Sequence, residues 1–303
     1  MHKKIKFCLL GVAFLLTGSI HGEVFNGSFE KTCIKDPKSP EIQDLLTRKH
    51  WKLKEPIVWP VGWSVVTSAP GHPVSVEFEV VRNGAHSGKN YLKLRGRVGN
   101  RGIIWVDYSP LKPGGIYKAS FFARGRGRAY LILNLYSKEG KYLGAVGVTG
   151  TDKLKREWKQ YSGIFKNNRN AYLAKISLLS LGESYFDDID MVPVDFWEAR
   201  MVTEFNEMDK EGVLLSPGSP VDKKKYEENI ETIKELLPKI KKFIDAYPIP
   251  EKVALLRKIE EAVEVMLSQE KSGISVEMFN KTLALRRICE RLLKEVSFKD
   301  ISE

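Results

Sequence analysis

The sequence predicts an antiparallel β-sandwich followed by a small all-α three-helix bundle, and three observations carry that prediction. From Glu23 to Pro193, short apolar stretches with period-two alternation are separated by turn residues such as NG, SG, PGG and EG. That is the pattern of sequential antiparallel strands, not of parallel strands joined by crossover helices. From Asp222 onward, apolar residues recur instead at steps of three and four, the period of helices packing on one face. Charge divides at the same place. Glu23 to Val194 carries 27 Lys and Arg against 16 Asp and Glu, a surplus of 11, whereas Asp195 to Glu303 carries 19 against 22. With 303 residues, 43% of them hydrophobic, the chain can fill two cores, which excludes disorder throughout.

The first 22 residues place Lys3, Lys4 and Lys6 ahead of an apolar run from Phe7 to Leu16, followed by small residues. This is the layout of a secretory signal peptide, with an apolar run short for a bilayer span; an uncleaved N-terminal anchor is the alternative. Export to the cell envelope or the extracellular space is therefore expected. After cleavage Cys33 and Cys289 remain. They could pair in an oxidising compartment, but Cys289 lies among Leu285, Leu292 and Leu293 on a predicted helix and reads as a buried free thiol.

The strands are predicted in order. After FNGSFE, the Pro- and Lys-rich stretch Lys31 to Val61 reads as a long loop with a helical turn near Ile42 to Arg48. Strands follow near Gly62–Thr67, Val74–Arg82, Asn90–Gly96, Gly102–Ser109, Ile116–Arg124, Ala129–Ser137, Tyr142–Thr149, Lys159–Lys166, Ala171–Ser180 and Tyr185–Val192. The stretch from Ile116 to Ser137 reads as two strands joined by a turn at Gly125 and Gly127. Alternation puts Leu131, Leu133 and Leu135 on an inner face and Tyr130, Asn134 and Tyr136 on the outer one. In the preceding strand it sends Lys118, Phe122 and Arg124 outward. Rings interleaved with hydrogen-bonding groups suit a sugar, which has an apolar C–H face and a rim of hydroxyls. Lys118, Phe122, Arg124, Tyr130, Asn134 and Tyr136 are therefore the candidate ligand-binding residues, with Trp105 and Tyr142 behind them. For each ring the alternative is packing under the loop from Lys31 to Val61 or against the C-terminal helices.

The ordered set NGSFE (Asn26 to Glu30), PVGW (Pro60 to Trp63), HSGKNYLKL (His86 to Leu94), LKPGGIYKASFFAR (Leu111 to Arg124), REWKQYSGIF (Arg156 to Phe165) and YFDDIDMVP (Tyr185 to Pro193) resembles the family 4/9 carbohydrate-binding modules, relatives of the galactose-binding-like jelly rolls. The resemblance covers most of residues 23–194. It implies a two-sheet jelly roll with a sugar-binding cleft on its concave face and, often, a structural calcium away from that cleft. By the same resemblance, Glu30, Asp188 and the backbone around Lys89 match calcium-binding positions, while Trp63 and Trp158 match core positions. The long loop from Lys31 to Val61 departs from the family pattern at one end of such a cleft.

No catalytic pattern accompanies this. Glycoside hydrolysis needs two carboxyl groups facing each other across a cleft, whereas Glu77 and Glu79 are near neighbours on one strand face. The five histidines show no metal-ligand spacing, and neither a GxSxG motif nor a phosphate-binding loop is present. Residues 195–221 read as a linker leading to three helices over 222–303: one capped by Asp222 and kinked at Pro238, one starting at Pro250, and one capped by Ser275. The sequence thus predicts an exported, non-catalytic protein that binds a polysaccharide or oligosaccharide, preferably acidic, and no nucleic acid. The helices offer a surface for a protein partner or for self-association. A structural or protein-interaction jelly roll without sugar binding, and an accessory part of a glycan-degrading system, are the alternatives.

Overall fold

The computed structural model describes residues 26–39, 43, 55–66, 76–105, 107–269 and 273–297. The predicted signal peptide and, apart from Gln43, the helical turn expected near Ile42 to Arg48 lie outside them. Ten strands come first: β1 (Thr32–Lys35), β2 (Ile57–Pro60), β3 (Trp63–Val66), β4 (Val76–Arg82), β5 (Asn90–Trp105), β6 (Ser109–Pro110), β7 (Ile116–Tyr136), β8 (Tyr142–Thr151), β9 (Lys159–Lys166) and β10 (Leu173–Pro193). Strands β1 and β2 pair antiparallel, so the ends of the predicted loop from Lys31 to Val61 form a small ribbon of their own.

The remaining strands form one antiparallel sheet that curls on itself. Three long strands make the curl, and each spans what the sequence reads as two strands. The first half of β7, Ile116 to Ala123, pairs with β9 on one side and with the end of β10 on the other. Its second half, Ala129 to Tyr136, pairs with β8 and with the start of β10. The predicted hairpin at Gly125 and Gly127 is therefore corrected: these glycines mark a bend in one continuous strand. Gly127 and Gly182 face each other across β7 and β10, both with positive φ, 123° and 98°. A Cβ at Gly127 would lie 2.1 Å from the Leu181 carbonyl oxygen, so the two backbones approach closely only because no side chain intervenes.

Alternation runs unbroken through the bend. Ala119, Phe121, Ala123, Ala129, Leu131, Leu133 and Leu135 are all fully buried, and they share one core with Leu92, Leu94, Ile176, Leu178 and Phe186. A single strand face thus lines both walls of the sandwich. Removing a fully buried leucine from such a core costs about 2–5 kcal/mol. In β10 the register with β7 shifts between Asp187 and Asp190, with Asp188 at φ 46°. This bulge changes parity, so that Phe186 before it and Ile189 and Met191 after it all point inward.

Four helices follow, not three: α1 (Phe196–Glu211), α2 (Lys223–Ala246), α3 (Pro250–Gln269) and α4 (Val276–Ser297). The expected linker over residues 195–221 contains α1, capped by the Asp195 carboxylate, which accepts from the Glu198 amide, and closed by Gly212 in the left-handed region. One side of α1 lies on the sheet, where Asn206 Nδ2 donates to the Ser162 carbonyl (2.8 Å) and Lys159 pairs with both oxygens of Asp209. Its other side meets α4: Glu204, only 2% exposed, faces Arg287 and Arg291, and Glu207 and Glu211 extend the ladder. The expected caps Asp222 and Ser275 are in place, accepting from the Lys225 and Met278 amides, and Pro238 lies inside α2. Cys33 and Cys289 are both free thiols. Burial pushes the Cys289 thiol up to about 12, which keeps it protonated.

Candidate functional site

The outer face of the curled sheet is divided by the glycine bend, and the six candidate ligand-binding residues fall on both sides of it. Before the bend the side chains are taken up by the molecule itself. Lys118 is paired with Glu198 on α1. Phe122 lies stacked on the His86 ring, with centroids 3.4 Å apart. The Arg124 guanidinium sits among three rings, 4.7 Å from Trp158, 5.4 Å from Tyr91 and 5.5 Å from Tyr185, and donates to the Gly84 carbonyl. Trp158 Nε1 donates to the same carbonyl, so Trp158 belongs to this outer stack and not to the core. Trp63, by contrast, is buried as expected. The Tyr185 phenol donates to Glu183, which with burial pushes it up to about 12.

The stack closes over the loop from Asn83 to Asn90, and the predicted calcium residues hold that loop from either end. Glu30 Oε1 accepts from the Lys89 and Asn90 amides at 2.7 and 2.9 Å. Asp188 is bonded to His86 Nδ1 (2.8 Å) and accepts from Ser87 Oγ (2.6 Å). The adjacent Asp187, fully buried, accepts from the His86 and Ser87 amides. Burial pushes Asp187 up to about 6, against the pull of its amide donors. Calcium requires several convergent oxygens. Among the described residues no group of three His, Cys, Asp or Glu side chains converges in that way. In this arrangement Glu30, Asp188 and the Lys89 backbone anchor a loop.

Beyond the bend the face is open. Tyr136 meets Tyr108 and Tyr142 edge-on, at 5.1 and 5.6 Å between centroids, and Lys175 Nζ lies 4.4 Å over the Tyr108 ring. Tyr108 and Tyr142 are 43% and 55% exposed. Burial, reinforced by the neighbouring phenols, raises the Tyr136 pKa. Asn134 Nδ2 donates to Ser177 Oγ (2.7 Å) and to the Lys175 carbonyl (3.4 Å), which fixes the amide. Farther along, Tyr130 donates to Asp152, and that bond, ahead of burial, raises its pKa. Between the two tyrosine ends, six residues or roughly 20 Å of strand apart, the neighbouring edge strand supplies only Ala145 and Gly147, both exposed. A Cβ at Gly147 would meet nothing within 4 Å. The result is a trough with aromatic ends, an amide on its floor and a low side.

Sequence reasoning reached Tyr130, Asn134, Tyr136 and Tyr142 through alternation, and missed Tyr108 and Lys175. Tyr108 immediately precedes the short strand β6 and Lys175 lies near the start of β10; the pairing of Ala174 with Ser109 brings the two together. The side chain of Trp105 lies outside the described residues. Another cleft, of about 1090 Å³, lies between α1, α3 and α4, where Trp197, Met201, Phe205, Met266 and Met278 line it together with Glu198, Lys258, Glu261 and Lys281.

No family model and no curated protein matches this chain. Among solved structures, a Clostridium thermocellum endo-1,4-β-D-xylanase fragment, with a family 22 carbohydrate-binding module beside its catalytic module and complexed with xylohexaose, is 20% identical; the match covers 45% of this chain and 26% of that one, with a TM-score of 0.36. A family 22 xylan-binding domain from Paenibacillus barcinonensis is 16% identical over 44% of this chain and 86% of that one, with a TM-score of 0.34. The enzymatically active domain of a bacteriophage CBA120 tailspike protein is 12% identical over 44% of this chain and 20% of that one, with a TM-score of 0.35. The chain thus spans about a quarter and a fifth of the xylanase fragment and the tailspike domain. At the coarse level the likeness is to carbohydrate-binding-module-like β-folds, and it carries no finer assignment to families 4 and 9.

Proposed function

We propose that this chain is an exported, non-catalytic saccharide-binding protein that holds a polysaccharide or oligosaccharide along the trough between Tyr130 and Tyr136. The observation that carries this reading is the cluster of exposed Tyr108 and Tyr142 about the half-buried Tyr136, beside the open strand at Gly147. Neutral rings offer stacking surface to the C–H faces of sugars, and the fixed Asn134 amide and the Lys175 ammonium offer an acceptor and a donor to hydroxyls. A non-catalytic role is supported by the acids present. Asp152, at the Tyr130 end, is engaged by Tyr130 and Arg128, and no facing pair of carboxyl groups accompanies it among the residues of the trough. Export rests on the charged and apolar pattern of the first 22 residues.

The test is affinity electrophoresis of the mature protein in soluble xylan, mixed-linkage glucan, galactan and glucuronoxylan. At least one polymer should retard the wild type, and a Tyr136→Ala, Tyr142→Ala double variant should migrate as in empty gel. A folded wild type retarded by none of them overturns the reading. The cleft between the helices, of mixed apolar and charged lining, favours a second role, docking of a protein partner or of another copy, which such a module would use alongside sugar binding.

A further inference from the structure

A second concavity, of about 530 Å³, opens at the Tyr130 end of the trough, between the end of β8 and helix α1. Its lining is basic. Lys153, Lys155, Lys159 and Lys210 contribute to it, together with Gln160 and Tyr161. Two acids also line it, and both are already matched: Asp152 by Tyr130 and by Arg128 Nε at 3.3 Å, and Asp209 by Lys159 at 2.7 and 2.8 Å. Lys153, Lys155 and Lys210 are exposed and form no ion pair among the described residues.

The loop that carries two of these lysines is pinned. Leu154 is buried and its amide donates to the Gly127 carbonyl at 3.0 Å, while the Gly125 amide donates to the Lys155 carbonyl at 2.8 Å. The Lys153 amide donates to Thr151 Oγ1. With Leu154 drawn in against the glycine bend, Lys153 and Lys155 are both turned out on a backbone that is already ordered. Holding like charges together without counter-ions costs free energy, and that cost is recovered when an anion binds between them.

We propose that this cleft is a subsite for an anionic substituent, the carboxylate of a uronic acid or a sulfate ester, on the saccharide held in the adjoining trough; the proposal rests on the saccharide-binding reading above. Lys153, Lys155 and Lys210 contact the anionic oxygens, and Tyr130 is shared between trough and subsite. Lys118 and Arg124, the cationic members of the predicted ligand-binding set, do not serve this subsite, since both are engaged within the protein.

The experiment compares the full mature chain on three forms of one polymer: glucuronoxylan, the same polymer with its carboxyl groups reduced to alcohols, and the reduced polymer after chemical sulfation. An exposed ion pair gives roughly a factor of two, so three give roughly an eightfold preference for a charged form at low salt, fading as salt is raised. Tighter binding of glucuronoxylan assigns the subsite to carboxylate; tighter binding of only the sulfated form assigns it to sulfate. The Lys153→Gln, Lys155→Gln, Lys210→Gln variant should bind all three forms as the wild type binds the neutral one, with an unchanged melt. Equal wild-type affinity for all three, or a preference that survives in that variant, overturns the subsite and leaves the trough standing. Binding of none of the three overturns the subsite, and the trough falls with it only if mixed-linkage glucan and galactan also fail to retard the wild type.

Discussion

The two halves of β7 present the same kind of outer face and do different work. Both carry aromatic and polar side chains at alternate positions, one as Lys118, Phe122 and Arg124, the other as Tyr130, Asn134 and Tyr136. In the first half every one of these groups is answered from within: by Glu198 of α1, by the His86 ring, and by Trp158, Tyr91 and Tyr185. In the second half the rings stand beside Ala145 and Gly147, and Tyr142 is more exposed than buried. The difference teaches that an aromatic strand face becomes a binding face only where nothing else in the chain covers it. One face is covered from within and the other stands open.

The sharpest way to break that comparison is to truncate one group on each side. Arg124→Ala removes a cation from three rings and a hydrogen bond from Gly84, and should cost about 2 kcal/mol in a denaturant melt while leaving saccharide affinity unchanged. An affinity loss without a stability loss would reverse the two assignments. Tyr142→Ala should do the opposite. It should weaken saccharide binding roughly threefold to tenfold, the worth of one stacked ring, with stability within about 0.5 kcal/mol of the wild type in the same melt.

Smaller effects sharpen the structural side. Asp187 has its folded pKa raised to about 6 by burial, against about 4 in the unfolded chain. Its stabilising contribution is therefore complete below the unfolded value and is lost as pH rises through the folded one. Melting temperatures of the wild type relative to Asp187→Asn should fall between about pH 4 and pH 6 and level off above. A difference that does not change with pH would show that Asp187 is ionised throughout. Smallest of all is the response to chelation: with Glu30 and Asp188 acting as loop anchors, EDTA should leave the melt where it was, and a lower melting temperature would reinstate the calcium that the family resemblance implies.

Much of this was legible in the sequence, and the losses have physical causes. Alternation identified the buried side of β7 correctly at Leu131, Leu133 and Leu135, because burial of one strand face is a local, period-two property. It misread Gly125 and Gly127 as a hairpin, because a glycine pair between apolar runs serves a turn and a bend equally well. What decides between them is Leu181 and Gly182 of β10, more than fifty residues away. Helix α1 was hidden for another reason: a buried position on it is Glu204, matched by Arg287 and Arg291, and a search for apolar periodicity does not see a charge in the stripe. Missing α1 also meant missing the cover over Lys118. Tyr108 and Lys175 escaped because no single strand carries them together with Tyr136; only the pairing of β6 with β10 does so.

The central claim, that the trough beyond the bend is the saccharide site, is tested most directly at Gly147. Its backbone is not in the left-handed region and a Cβ there would meet open space, so Gly147→Trp fills the trough without straining the fold. Isothermal titration of this variant with whichever polymer the wild type binds, alongside its melting curve, gives the answer. The account predicts a wild-type melt and no measurable binding; a folded Gly147→Trp protein that binds the polymer as tightly as the wild type would contradict it.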